Sequence, residues 1–239
     1  MRALRFANPL CCALDRAGRE ESFALARRIA REVGALKLGL EFFTANGPAA
    51  VEEMAGLGVP IFLDLKFHDI PHTVAGAVAA ACRLPVTLLT LHAAGGRAML
   101  EAAVRARDAA TGSRPRLLAV TVLTSLDDSD LRLLGTDRTV GEQVLALAEM
   151  ALACGIDGLV CSPHELSELR RRFGDEPLLV VPGIRPRAAG DDQKRILDPR
   201  TALELGADLL VIGRPIVAAA DPAAAARAIR ASLEGAILR

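Results

Sequence analysis

Short, almost wholly apolar runs recur through the 239 residues, and eight of them can be counted: 10–15, 36–40, 61–67, 86–92, 117–123, 158–161, 178–181 and 209–212. Their β-branched and aliphatic content favours strands, and their near-continuous hydrophobicity predicts strands covered on both faces, as in a parallel sheet. Helical patterns follow them. Leu25, Ile29 and Val33 recur at four-residue spacing among charges, the mark of an amphipathic helix. Asn46-Gly47-Pro48 opens a helix through Met54, and others are expected over about 73–83, over 140–154 after a polar loop with Asp127, Asp128 and Asp130, and from Pro222 onward. No linker or low-complexity stretch interrupts the alternation, so one α/β domain over residues 1–239 is expected. A doubly wound sheet would need a glycine-rich fingerprint after its first strand, and Asp15-Arg16-Ala17-Gly18 is not one. The expected fold is therefore a single-domain (β/α)8 TIM barrel.

Composition narrows the function. Lys plus Arg and Asp plus Glu each number 29, Trp and Tyr are absent, and Phe occurs 7 times. The chain thus lacks both the basic footprint and the stacking aromatics of nucleic-acid binding. No apolar run approaches the roughly 18 residues of a membrane span. Arg2 and Arg5 lead to Asp15 without a long apolar core, so a signal peptide is not expected. The 5 cysteines are odd in number and show no Cys-x-x-Cys spacing, which suits reduced thiols in a cytoplasmic protein.

In a barrel of this kind the site gathers at the C-terminal ends of the strands. Read in order, those ends carry Asp15, Lys37, Asp64 with Lys66, His92, Thr124, Ser162, Pro182-Gly183 and Gly213-Arg214. Asp64 and Lys66 leave the same face of the third run, roughly 7 Å apart along a regular strand. Opposite charges inside a buried strand are costly unless paired or used. Asp69 adds another charge just past it, and Lys37 stands in the neighbouring strand. These charges suit either an ion-pair network at the barrel mouth or a reactive centre, and their number favours the latter.

Strands seven and eight end in Val181-Pro182-Gly183-Ile184-Arg185-Pro186 and Ile212-Gly213-Arg214-Pro215, where barrels commonly bind phosphate. Glycine admits close approach of an anion to backbone N–H groups, and Arg185 and Arg214 supply charge. The polar stretch 187–195 reads as a loop able to close on that phosphate through Gln193, or as a plain surface connection. Asp15 suits a turn cap or a grip on sugar hydroxyls. Thr124 and Ser125 suit a turn or a contact to a polar ring edge. His68, His72 and His92 lack metal-ligand spacing, and the lysines oppose a divalent cation, so no metal is expected.

Asp64-Leu65-Lys66-Phe67-His68-Asp69-Ile70-Pro71 resembles the signature of the orotidine 5′-phosphate decarboxylase family. Ala13-Leu14-Asp15, Leu36-Lys37-Leu38-Gly39, Val120-Thr121-Val122-Leu123-Thr124-Ser125, Asp192-Gln193-Lys194-Arg195 and both phosphate loops extend the match along nearly the whole chain. The resemblance implies a homodimeric barrel that converts orotidine 5′-monophosphate to uridine 5′-monophosphate with neither metal nor organic cofactor. It implies that Lys66 protonates C6, that Asp64 faces the leaving carboxylate, and that Lys37 and Asp69 complete a Lys-Asp-Lys-Asp array. Asp69 and Thr73 would reach into a partner's site. Asp15 and Lys37 would hold the ribose, Thr124 and Gln193 the pyrimidine, and Arg185, Gln193, Gly213 and Arg214 the phosphate. His72 departs from the asparagine expected there. The nearest rival is a sugar-phosphate decarboxylase or aldol-type synthase, whose resemblance includes magnesium and an acid on strand two, where this chain has Lys37. A barrel that only binds a sugar phosphate would have a broken charged array.

Overall fold

In a computed structural model describing residues 6–185 and 197–233, parallel strands close into a barrel in strict chain order. They are β1 (Leu10–Ala13), β2 (Ala35–Gly39), β3 (Ile61–Phe67), β4 (Leu88–His92), β5 (Arg116–Val120), β6 (Gly158–Val160), β7 (Leu178–Val181) and β8 (Leu209–Ile212). Closure is made where Leu10, Cys11 and Cys12 pair with Leu210, Val211 and Ile212. This is the (β/α)8 barrel expected from the strand count.

Period-two alternation sends neighbouring residues into two different cores. Cys11, Ala13, Phe62, Leu118, Leu178, Val180 and Leu209 fill the barrel interior. Leu36, Leu38, Leu63, Leu89, Leu117, Leu179 and Ile212 belong to the layer between strands and helices. Both faces are dry, which is why the strands read as unbroken apolar runs. Gly158 is small by necessity, because a Cβ there would lie 2.3 Å from the Leu178 carbonyl oxygen. All 5 cysteines are buried and unbridged.

The outer layer comprises α1 (Arg19–Ile29), α2 (Leu40–Ala55), α3 (Pro71–Ala81), α4 (Gly96–Asp108), α5 (Asp128–Leu133), α6 (Val140–Ala153), α7 (Leu166–Phe173), α8 (Pro199–Glu204), α9 (Arg214–Val217) and α10 (Pro222–Leu233). A helical segment from Leu40 precedes it, but Asn46-Gly47-Pro48 opens the second half of α2 as the sequence suggested. Gly47, at φ 69° and ψ -172°, breaks the helix, and Pro48 begins the segment that runs through Met54, where its missing N–H costs nothing. The acidic stretch 127–130, expected as loop, instead starts α5. Asp127 accepts the Ser129 and Asp130 N–H groups in a reciprocal capping box. No helix among the described residues is long and apolar enough to cross a membrane.

The foot of the barrel is tied by ion pairs. Asp208, just before β8, takes the Leu179 N–H (2.8 Å) and the Arg170 guanidinium (2.5 Å) on one carboxylate oxygen. Arg170 donates further to the carbonyls of Gly174, Pro177 and Gly206. Asp157, just before β6, likewise takes the Leu117 N–H (2.8 Å) and pairs with Arg107.

Candidate active site

At the opposite end a cavity of about 380 Å³ opens over an apolar floor that includes Ala13, Phe62, Val120, Val160 and Val211. Asp15, Lys37, Asp64 and Lys66 form one wall, while Thr124, Gly183, Arg185, Gly213 and Arg214 lie around the rest. The barrel thus brings together most of the residues that the strand ends singled out.

The charged wall is one connected chain. Lys37 Nζ lies 2.7 Å from Asp15 Oδ1 and 3.3 Å from Asp64 Oδ2. Asp64 Oδ1 accepts from Lys66 Nζ at 2.8 Å and from Thr90 Oγ1 at 2.9 Å. The Lys37 and Asp64 side chains are each 10% exposed, whereas Lys66 is 29% exposed and Asp15 52%, so the network runs from dry to wet. Gly39 makes room for it, since a Cβ there would stand 2.6 Å from Asp15 Oδ1 and 3.0 Å from Lys37 Nζ.

Burial opposes both central charges, and their mutual attraction prevails. For Lys37, desolvation pulls the pKa down, but Asp64 and then Asp15 outweigh it and hold it above the usual lysine value. For Asp64, desolvation pushes up, while Lys37, Lys66 and the hydrogen bonds from Lys66 and Thr90 hold it below the usual carboxylate value. Each charge is retained because the other is present.

Strand β3 departs from regular geometry around Lys66. From Leu63 to Phe67 strand β3 advances four residues while β4 advances two, Leu89 to Leu91. Lys66 sits in this bulge at φ 50°, the one positive φ outside glycine among the described residues. Beside this bulge the Lys66 ammonium lies 2.8 Å from Asp64 Oδ1.

Other expected residues fall elsewhere. Ser162 caps a turn by accepting the His164 N–H (3.2 Å) and does not line the cavity. His92 also stays off the lining and stacks at a tilt against His68, 5.3 Å between centroids. Burial, then His68 and Lys66, lower its pKa. Asp69 and Thr73 are exposed and outside the cavity of the single chain, and the Asp69 carboxylate accepts the Ile70 N–H. Gln193 lies outside the described residues. Thr90 and Gly39 are participants that residue-type reasoning missed. A hydroxyl inside the apolar run 86–92 was the available signal for Thr90. Among the described residues no three His, Cys, Asp or Glu side chains are grouped to hold a metal ion.

Across the cavity, Gly183 has φ 78° and Gly213 directly precedes α9, whose second residue is Pro215. Arg185 and Arg214 are exposed and make no salt bridge among the described residues. A sequence profile of the orotidine 5′-phosphate decarboxylase / HUMPS family matches residues 8–229. The chain belongs to this family. Orotidine 5′-phosphate decarboxylase of Novosphingobium aromaticivorans is 50% identical over 228 residues, 95% of this chain and 99% of that one. The same-named protein of Anaeromyxobacter sp. strain K is 52% identical over 225 residues, 94% of this chain and 97% of that one. The crystal structure of orotidine 5′-phosphate decarboxylase from Lactobacillus acidophilus superimposes with TM-score 0.84 at 38% identity, covering 95% of this chain and 99% of that one.

Proposed function

We propose that this chain decarboxylates orotidine 5′-monophosphate to uridine 5′-monophosphate in de novo pyrimidine biosynthesis, using neither metal nor organic cofactor. The observation that carries the reading is the placement of Asp64 between two ammonium groups, with Lys66 of the pair more open to the cavity. As the C6–carboxylate bond breaks, its electron pair stays on C6 and carbon dioxide leaves. Lys66 stabilises that charge and then transfers a proton to C6, and the neutral amine recovers its proton from water. Asp64, kept ionised by its neighbours, faces the departing carboxylate and opposes the substrate more than a transition state whose charge has moved toward C6.

The remaining roles are those the family resemblance implies. Asp15 and Lys37 hold the ribose, and Thr124 with Gln193 reads the pyrimidine edge. Gly183 and Gly213 offer an open backbone, and Arg185, Gln193 and Arg214 take the phosphate. Asp69 and Thr73, exposed beside their own cavity, serve the site of a second copy in a cytoplasmic homodimer. The names of relatives about half identical over almost their whole length support this substrate.

The family description also covers the HUMPS branch, which keeps a sugar-phosphate reaction as the second reading. Lys37 disfavours it, because an ammonium 3.3 Å from Asp64 opposes binding of a divalent cation beside that carboxylate. Ultraviolet absorbance of orotidine 5′-monophosphate, followed with the protein and excess chelator, decides between them. Loss of the orotate chromophore with uridine 5′-monophosphate as product supports the proposal, whereas turnover that needs added magnesium and a sugar phosphate overturns it. The shared site has its own test: mixing Asp69→Ala with Lys66→Ala chains regains activity if each site draws on two copies. No recovery after verified subunit exchange would exclude it.

A further inference from the structure

We propose that Thr90 is a positioning residue that locks the β3 bulge and thereby sets where the Lys66 ammonium stands, an inference that deepens the decarboxylase reading. Thr90 is completely buried and lies on β4 between Leu89 and Leu91, opposite the surplus residues of β3. Lys66 donates its backbone N–H to Thr90 Oγ1 at 2.9 Å. Thr90 in turn donates its hydroxyl proton to Asp64 Oδ1 at 2.9 Å. That same carboxylate oxygen accepts from Lys66 Nζ at 2.8 Å. One side chain therefore holds the backbone of Lys66 and the acid that its ammonium grips.

The proton count admits a single direction. A hydroxyl has one proton to give and lone pairs to accept with. An ionised Asp64 only accepts, and a backbone N–H only donates, so the proton of Thr90 belongs to Asp64 and its lone pair to Lys66. A bulge leaves its extra residue without a ladder partner, and a buried N–H without an acceptor is rarely tolerated. Thr90 supplies that acceptor from a side chain. It thus supports the φ 50° of Lys66, a conformation a non-glycine residue keeps only when its surroundings demand it. A hydroxyl serving merely as a satisfied core group would need one of these partners; this one joins the two residues whose spacing the chemistry depends on.

Thr90→Val keeps the shape and removes the hydroxyl; Thr90→Ser keeps the hydroxyl and removes the methyl. A misplacement of about 1 Å at a reacting group costs on the order of 100-fold in rate, and Thr90→Val is expected to lower kcat by about that factor. Affinity for the product uridine 5′-monophosphate should hold, because the phosphate grip lies across the cavity, and Thr90→Ser should keep most of the activity. Amide hydrogen exchange in the segment 61–68 reads the bulge without reference to catalysis and should accelerate in Thr90→Val. Unchanged kcat or unchanged exchange in folded Thr90→Val overturns the proposal. So does a folded Thr90→Ser that is as slow as Thr90→Val or, where Thr90→Val does not fold, one that loses about 100-fold in kcat against wild type or exchanges faster than wild type in 61–68, since that would assign the effect to packing. A wild-type chain inactive on orotidine 5′-monophosphate would sink the decarboxylase reading instead, and the exchange experiment would still decide what Thr90 does to Lys66.

Discussion

At the foot of the barrel, Asp157 and Asp208 each meet burial with a strand N–H and a guanidinium on one carboxylate oxygen. At the mouth, Asp64 takes ammonium and hydroxyl protons, with a second ammonium 3.3 Å away. The choice of cation separates structure from chemistry. Arg170 spreads its donors over Asp208 and the carbonyls of Gly174, Pro177 and Gly206, and a guanidinium does not give up its proton in a protein. Lysine is a point charge that can release a proton and be replenished. Asp157 and Asp208 are tied into the ladder that closes the barrel, whereas Asp64 and its lysines border a cavity. Ion pairs at the two ends thus carry different burdens.

The largest effect expected of breaking this comparison falls at the mouth. Lys66→Ala should lower kcat by about 10⁴-fold or more, because the proton donor and the charge stabiliser are lost together. Steady-state kinetics measures this, and titration with uridine 5′-monophosphate should show binding largely intact. Loss of binding and turnover together would deny Lys66 its role as donor. At the foot, Arg170→Ala leaves the half-buried Asp208 carboxylate with only the Leu179 N–H and should reduce the unfolding free energy by about 3 kcal/mol. Urea denaturation reads that loss, and kcat should persist wherever the variant remains folded.

A fourth, half-buried acid sharpens the contrast, because its hydrogen bond comes from a backbone N–H and not from a cation. Glu165 accepts the Ser162 N–H at 2.7 Å, and desolvation, only partly offset by that bond, raises its pKa to about 7. A raised folded-state pKa means that between the unfolded value near 4.5 and about 7 the folded chain binds more protons. The resulting stability is full below that window and is lost as pH rises through it, by up to about 3 kcal/mol. Glu165→Gln should flatten this slope in denaturation curves taken from pH 4.5 to 7.5, and an unchanged slope would remove Glu165 as its source. The smallest effect is reserved for the exposed side of the cavity. Arg214→Ala should raise KM about 10-fold with kcat nearly constant, as for a charge contributing uniform binding. A selective fall in kcat would instead tie the phosphate grip to the chemical step.

Much of the site was legible because barrel geometry places strand ends together whatever the loops do. Lys37, Asp64 and Lys66 stood out as charges within apolar runs, and glycine beside arginine marked the ends of β7 and β8. Local features were less secure: the acids at 127–130 read as loop although their spacing builds the capping box of α5. Thr90 was passed over because a lone threonine suits a β-strand anyway, and its partners lie on β3, outside its own sequence neighbourhood.

By itself the sequence determined the alternation of strands and helices, the barrel and the set of charges at its mouth. Hydrophobic periodicity and the cost of burying charge are properties of residue order. The tertiary structure alone decided that β3 bulges opposite β4, that Lys66 turns back onto Asp64, and that Gly39 leaves room for the Asp15–Lys37 pair. Those outcomes depend on which backbone groups meet across neighbouring strands, and register is settled only when the whole barrel closes.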